Sequence, residues 1–446
     1  MTTLRLWLLL RRRSSGRSDP AGLTGVLAVI AFAVTTAVAL VVVGGLTAFV
    51  QRSLAPGAND EDGSYVFLAG FATLLLLVPL STLGGAAARL AVARRDARLA
   101  ALRLAGATTG QVATLTVLDA GVQALLGAVV GVAGYAALLP LVAQLSFQDR
   151  TFDVAELWVG VPGVLAAIGA VVVIALASAV SSLGRVAITP LGVAARTTPP
   201  GLRAVRLVAL VMAVIGVLVA NAVLGGGGAG TIGLVILMVM VAAGMATLNL
   251  VGPFVLGLIG RLTARRATRP ETLLAGRRIV DDPRSAWRSV GGVALATFIA
   301  GITAVAGLFG AGGGGEEDVL VRDIGTGGLL TLAIAGLVAG VSTGVMQAGR
   351  VIDQRQAYRN LVLAGTDTRV LDAARFRETL IPLLAAAGTA AVSMLVIIAP
   401  LLGLGTFAQP QVLVQYVLSV LGAGGLVLLG AAAATPVARR MVAPEA

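Results

Sequence analysis

Two short segments of this chain combine residue types that suit a specific protein contact. One reads Arg94-Arg-Asp-Ala-Arg-Leu-Ala-Ala-Leu-Arg-Leu-Ala-Gly106-Ala-Thr-Thr, the other Asp353-Gln-Arg-Gln-Ala-Tyr-Arg-Asn-Leu-Val-Leu-Ala-Gly365-Thr-Asp-Thr. Each opens with charged residues on a predicted helix and continues through leucines. Each then reaches a glycine suited to the left-handed conformation that ends a helix. Thr108 or Thr109 fits the N-cap of a second helix. The product is a helix-turn-helix whose exposed turn is a natural dock for a soluble partner. A loop that holds topology only through its arginines accounts for the same residues.

The remaining side chains exclude most other chemistry. The chain has no cysteine and no histidine, which removes disulfides, thiol nucleophiles, the usual zinc sites and the Ser-His-Asp arrangement. All 33 basic residues are arginine. Without lysine there is no Walker A phosphate loop, so the chain is expected to have no ATPase activity of its own. If ATP drives the protein, ATP and Mg are bound by another chain, and this chain is expected to hold no cofactor and no metal. No catalytic residue is assigned, because no cluster of ionisable side chains suits general acid–base work.

These segments sit in an overwhelmingly apolar chain. Of 446 residues, 57% are hydrophobic and 12% charged, with a mean hydropathy of +0.96, against about a quarter charged in an ordinary soluble protein. Only a bilayer accommodates so many long apolar runs. Ten spans are predicted, at about 23–50, 65–92, 112–145, 157–183, 207–224, 231–259, 289–311, 325–349, 379–403 and 412–435. The net charge of +12 does not point to nucleic acid, because the arginines are dispersed in short gaps between spans. One alternating set of segments (the N-terminus, 93–111, 184–206, 260–288, 350–378 and the C-terminus, with Arg89) holds 30 of the 33 arginines. The opposite set keeps Arg52, Arg150 and Arg322 beside ten acids: Asp60, Glu61, Asp62, Asp149, Asp153, Glu156, Glu316, Glu317, Asp318 and Asp323. The positive-inside rule therefore places both termini in the cytoplasm. The run from Leu23 to Val50 exceeds a signal-peptide core and reads as a retained anchor. Residues 1–13 suit an amphipathic helix on the inner surface.

The two segments belong to a larger repetition. Gly106 and Gly365 lie 259 residues apart (365 − 106), and the same offset carries Leu102, Leu104, Ala105 and Thr109 onto Leu361, Leu363, Ala364 and Thr368. Asp119 and Glu378 follow the glycines at equal distance. Gly127 and Gly131 then correspond to Ala386 and Ala390, and upstream Asp19-Pro20 resembles Asp282-Pro283. The expected fold is all-α and integral to the membrane. It has ten transmembrane helices as two parallel four-helix repeats, residues 1–186 and 267–446, joined by a helix pair within 187–266. A pseudo-twofold axis along the membrane normal relates the copies, which suits a symmetric dimeric partner.

The stretch Leu102-Arg-Leu-Ala-Gly-Ala-Thr-x-x-Gln111, after a second span that ends in a basic helix, resembles the FtsX-like permease domain of MacB-type ABC transporters. Leu361-Val-Leu-Ala-Gly365-Thr resembles the same signature. Two such domains and two linking spans are similar to the ten-helix permeases that include the bacitracin-resistance (BceB-like) group. The resemblance implies a bacterial cytoplasmic-membrane permease subunit with a separate ABC ATPase homodimer as partner. It implies ATPase-coupling positions at Arg98, Leu102, Arg103, Gly106, Ala107 and Thr108, and at Tyr358, Arg359, Leu361, Gly365, Thr366 and Asp367. Two departures stand out. The glutamate usual shortly before the Leu-Arg pair is replaced by the displaced Asp96 and Asp353. The loops at 51–64 and 312–324 leave no room for the folded extracellular domain usual in the family. Cargo is therefore expected from the bilayer, through a groove between the units: a lipid, an antimicrobial peptide or a drug, exported or extracted. The alternative is a non-transporting subunit that relays ATPase motion to an outer partner.

Four further features bear on function. Gly225–Gly228 and Gly312–Gly315 read as flexible linkers. Pro79 and Pro382 either kink their spans or are simply tolerated. The outer acid runs Asp60-Glu61-Asp62 and Glu316-Glu317-Asp318 read as solvated loop charge rather than as a contact for a cationic peptide. No carboxylate falls near the centre of a span, which disfavours ion-coupled transport.

Overall fold

The computed structural model describes residues 20–56, 60–93, 108–187, 231–309, 316–353, 360, 363–402 and 409–433. The fold is all-α apart from one small hairpin. In chain order the elements are α1 (Pro20–Ser53), α2 (Asp60–Ala93), α3 (Thr109–Ala143), β1 (Ser146–Phe147), β2 (Arg150–Thr151), α4 (Val154–Leu157), α5 (Gly160–Ala187), α6 (Thr231–Arg265), α7 (Pro270–Asp281), α8 (Pro283–Phe309), α9 (Glu316–Asp353), α10 (Thr368–Leu402) and α11 (Pro410–Ala433). Nine helices among the described residues are long and apolar enough to cross a membrane. Backbone groups must be satisfied within each segment in hydrocarbon, and a helix does this. The chain is therefore a multi-pass α-helical membrane protein. The expected fifth span, at 207–224, and the N-terminal segment 1–13 lie outside the described residues.

Several boundaries differ from those read in the sequence. The sequence predicts a loop over 260–288, yet α6 continues to Arg265 and α7 begins at Pro270, a residue that suits the first turn of a helix. α7 is amphipathic and buries Ala275, Gly276 and Ile279. The segment 312–324 was read as loop as well, but α9 begins at Glu316 and carries Arg322 and Asp323 on its first turns. α2 passes through Pro79 as one continuous helix.

The helices pack through small residues, because lipid supplies no hydrophobic drive between them and close backbone approach must take its place. α1 contacts α2 and α3, and α8 contacts α9 and α10. A Cβ at Gly127 would sit 2.5 Å from the Phe32 Cβ, and one at Gly131 would sit 2.6 Å from the Ala33 carbonyl oxygen. On α10, Ala386 and Ala390 are fully buried. α9 meets α11 in the same manner: a Cβ at Gly344 would lie 2.6 Å from the Gly430 oxygen. α8 is the central helix, with 83% of its apolar window buried against 17% for the window that includes α5. Its Ser289 carbonyl accepts a hydrogen bond from the Thr343 hydroxyl of α9 at 2.7 Å. Val129, Leu165, Val173 and Leu429 are exposed, as residues in contact with lipid chains must be. The helices α1 to α5 form one contact group and α6 to α11 another, and the two meet chiefly where α9 lies against α2, with further contacts of α9 to α1 and of α8 to α2.

A substitution at Gly131 tests this packing. Gly131→Leu is expected to separate α1 from α3 at a cost of about 1–3 kcal/mol or more, whereas Gly388→Leu, where nothing lies within 4 Å of the added Cβ, should be near neutral. Thermal unfolding in detergent reads both, and equal effects would contradict the account.

Candidate functional site

The residues implied by the FtsX-like resemblance divide into two groups. Arg98, Leu102, Arg103, Gly106, Ala107, Tyr358, Arg359 and Leu361 lie outside the described residues. Thr108 caps α3 through a capping box. Its hydroxyl accepts from the Gln111 N–H at 3.3 Å and its own N–H donates to Gln111 Oε1 at 3.0 Å. Gly365 adopts φ +87°, the conformation expected for a helix-ending glycine, and a Cβ there would meet nothing within 4 Å. Asp367 precedes α10 and accepts the Arg369 N–H at 2.9 Å. Thr108, Gly365 and Asp367 are exposed, and Thr366 is half-buried. Close to this turn, α7 is strapped to the first turns of α10. Arg278 pairs with Glu378 and Arg377 with Glu271, each at 3.0 Å, and Arg377 also donates to the Thr272 hydroxyl at 2.7 Å. The backbone N–H at the start of α7, followed by Arg377, holds the Glu271 carboxyl below its ordinary range.

The opposite end of the bundle holds a constellation that the sequence did not reveal. Here α3 ends, the β1–β2 hairpin turns back, and α4 leads into α5. The hairpin turn is Gln148-Asp149, both at positive φ, +58° and +55°. That is the two-residue turn geometry normally given to Asn-Gly, and two non-glycine residues in it cost of order 1–3 kcal/mol each. Side chains from other elements offset the strain. Arg52, in the last turn of α1, is 4% exposed and directs its guanidinium into the hairpin. Its Nη2 lies 2.7 Å from Glu156 Oε2 and 3.1 Å from the Thr151 carbonyl, and its Nε lies 3.2 Å from the same Glu156 oxygen. Nη1 reaches the Phe147 carbonyl at 3.3 Å and Gln148 Oε1 at 3.2 Å. The guanidinium carbon also lies 4.3 Å from the centre of the Phe152 ring. Only the planar five-donor fork of arginine makes such a set of bonds. Phe49 packs between Tyr65, Phe147 and Phe152 at ring distances of 5.8, 5.5 and 5.3 Å.

The hairpin held in this way reaches across to the other helix group. The Gln148 backbone N–H donates to Asp323 Oδ2 of α9 at 2.6 Å, and Tyr65 of α2 donates its hydroxyl to the same oxygen at 2.9 Å. The Gln148 amide donates to Asp62 Oδ1 at 2.6 Å, and Arg322 pairs with Asp149 at 2.6 Å. Glu156 and Asp323 are thus built into a clasp, and Asp62, expected to be solvated loop charge, instead accepts a hydrogen bond within it. Carboxylates at a membrane end are desolvated by the neighbouring helices and recover the loss through such bonds.

Beneath the clasp lies a cavity of about 350 Å³ between α1 and α2 on one side and α9 on the other. Its walls are almost entirely apolar, including Leu46, Phe71, Leu75, Ile302 and Ile334, while Tyr65, Phe147 and Asp323 of the clasp line it as well. Its volume is near the low end of the size range for small-molecule sites, about 300–1,000 Å³. No family model, curated protein or solved structure matches the chain, so geometry and residue chemistry carry the functional argument.

Arg52 is the test of the clasp. Arg52→Gln is expected to free the hairpin at a cost of about 3 kcal/mol, because it strips a buried pair of one partner. Arg52→Lys, which keeps the charge and loses the fork, should fall between. Amide exchange over residues 146–159 measures both, and unchanged protection in Arg52→Gln would remove the proposed role of the guanidinium.

Proposed function

We propose that the protein is the permease subunit of an ATP-binding cassette transporter that moves a hydrophobic or amphipathic substrate. It works with a separate ATPase homodimer in a bacterial cytoplasmic membrane, with both termini inside. The observation that carries the reading is a pair of exposed helix caps, Thr108 before α3 and Asp367 before α10. Thr108 and Asp367 hold equivalent places, and each precedes a helix of 35 residues. Two equivalent docks fit two copies of an ATPase. The contacts support two parallel four-helix units: α1, α2, α3 and α5 against α8, α9, α10 and α11. In each unit the first helix packs on the second and third, and α2 meets α9 as its counterpart. The full arrangement has ten helices, with the fifth span and α6 as linkers.

In this reading, closure of the ATPase dimer pushes on both turns. The force enters α3 and α10 directly, and the two ion pairs between α7 and α10 carry α7 along with it. Rigid-body movement of one unit against the other then shears the α2–α9 contact that floors the cavity, and opens or closes the clasp. The chain supplies binding and motion, not hydrolysis.

The experiment is co-purification with a candidate ATPase followed by native mass determination. One permease with two ATPases is expected. The pair Gly106→Glu with Gly365→Glu should abolish association and stimulation of hydrolysis while leaving membrane insertion intact. A chain that binds no ATPase, or a double variant that binds normally, would overturn the docking claim.

A further inference from the structure

Asp323 lines the cavity under the clasp, and one of its two carboxylate oxygens has no hydrogen-bond partner among the described residues. The residue is 3% exposed. Its Oδ2 is committed to the Gln148 N–H and the Tyr65 hydroxyl. Its Oδ1 is buried and has no hydrogen-bond partner among the described residues. The nearest cation, the Nε of the adjacent Arg322, stands 3.8 Å away, too far for a hydrogen bond. The Nη2 of that same side chain is already bonded to Asp149 at 2.6 Å. A carboxylate oxygen taken out of water and left unbonded is costly, and the cost falls when a donor arrives. The remaining walls reject polar groups, since the other lining residues are aliphatic or aromatic apart from Tyr65, Thr73 and Thr331.

We infer that this cavity binds a cationic amphiphile: one apolar chain or ring body lies along α1, α2 and α9, and an ammonium donates to Asp323 Oδ1. A neutral amphiphile of the same body gains only the apolar contact. An anionic one meets the Asp323 carboxylate and is repelled. Gly45 bounds the opposite wall on α1, and a Cβ there meets nothing within 4 Å, so the space beside it is open to the apolar body. The inference deepens the transport reading by naming a substrate class, but it concerns binding by this chain alone.

The test uses the full chain in lipid nanodiscs without any ATPase. Three photoreactive probes of one chain length, derived from decylamine, decanol and decanoate, are cross-linked and the labelled residues located by mass spectrometry. The amine is expected to label the cavity wall about tenfold more than the alcohol, the scale of one charge-assisted hydrogen bond, and the carboxylate least. Asp323→Asn keeps an oxygen for Tyr65 and Gln148 and loses the charge, so it should bring the amine down to the level of the alcohol. Gly45→Phe should remove cavity labelling by all three probes. Equal labelling by amine and alcohol in the unaltered protein, or an amine preference that survives Asp323→Asn, would overturn the inference. Because no ATPase is present, a failed transport reading leaves this result intact, and a failed binding result leaves the ATPase contact standing.

Discussion

The Arg52 guanidinium, withdrawn from water at the end of α1, is the interaction on which the clasp end of the molecule depends. It satisfies two hairpin carbonyls, one carboxylate and one side-chain amide at once. Without it, a two-residue turn of Gln148 and Asp149 at positive φ loses its anchor to α1 and Glu156. With it, the Gln148 N–H is fixed where Asp323 can accept it. A buried ion pair is a poor source of net stability, since desolvation cancels much of the attraction. Its value here is positional, because it sets one backbone donor against a carboxylate on another helix group.

The two ends of the bundle are built differently, and the difference suits transmission of movement. At the end near Gly365, α7 and α10 are tied by two ion pairs flanking an exposed turn. At the hairpin end the two helix groups are joined through polar contacts on α9, made by the hairpin and by Tyr65 of α2. Between the ends, α2 and α9 touch along a seam that runs beside the cavity. Helices locked by glycine contacts, such as α1 on α3, move as units. Of the polar contacts between groups, the Arg322–Asp149 pair is the one most able to exchange with water, because both side chains are more than half exposed.

The membrane character and most spans were legible because an apolar run of about 20 residues has few other uses. The matched positions of Gly127 and Gly131 with Ala386 and Ala390 were legible too, and both sets prove to be packing surfaces. The hairpin was not: its strands have two residues each, and Gln148-Asp149 carries no turn signal of the Asn-Gly kind. α7 was hidden because its arginines suit a topogenic loop equally well. The clasp charges were visible as Arg52, Arg322 and a group of acids, but partners 95 or more residues apart, such as Arg52 with the Phe147 carbonyl, leave no local pattern. The exposed turn before α10 was foreseen at Gly365, whose φ of +87° follows from the need to stop one helix and begin another.

With Tyr65, Phe147 and Asp323 in its lining, the cavity is closed at the hairpin end by the clasp. The chain has no cysteine, so Gly327→Cys places its only thiol on the cavity wall, where the added Cβ would lie 3.6 Å from Phe147 in ordinary contact. The direct measurement is the rate at which a small charged thiol reagent modifies that cysteine in nanodiscs, with and without Asp323→Ala. Removing the carboxylate releases both Tyr65 and Gln148, so the account predicts slow modification with the clasp intact and a rate at least about tenfold higher without it. Equal rates in the two proteins would contradict it.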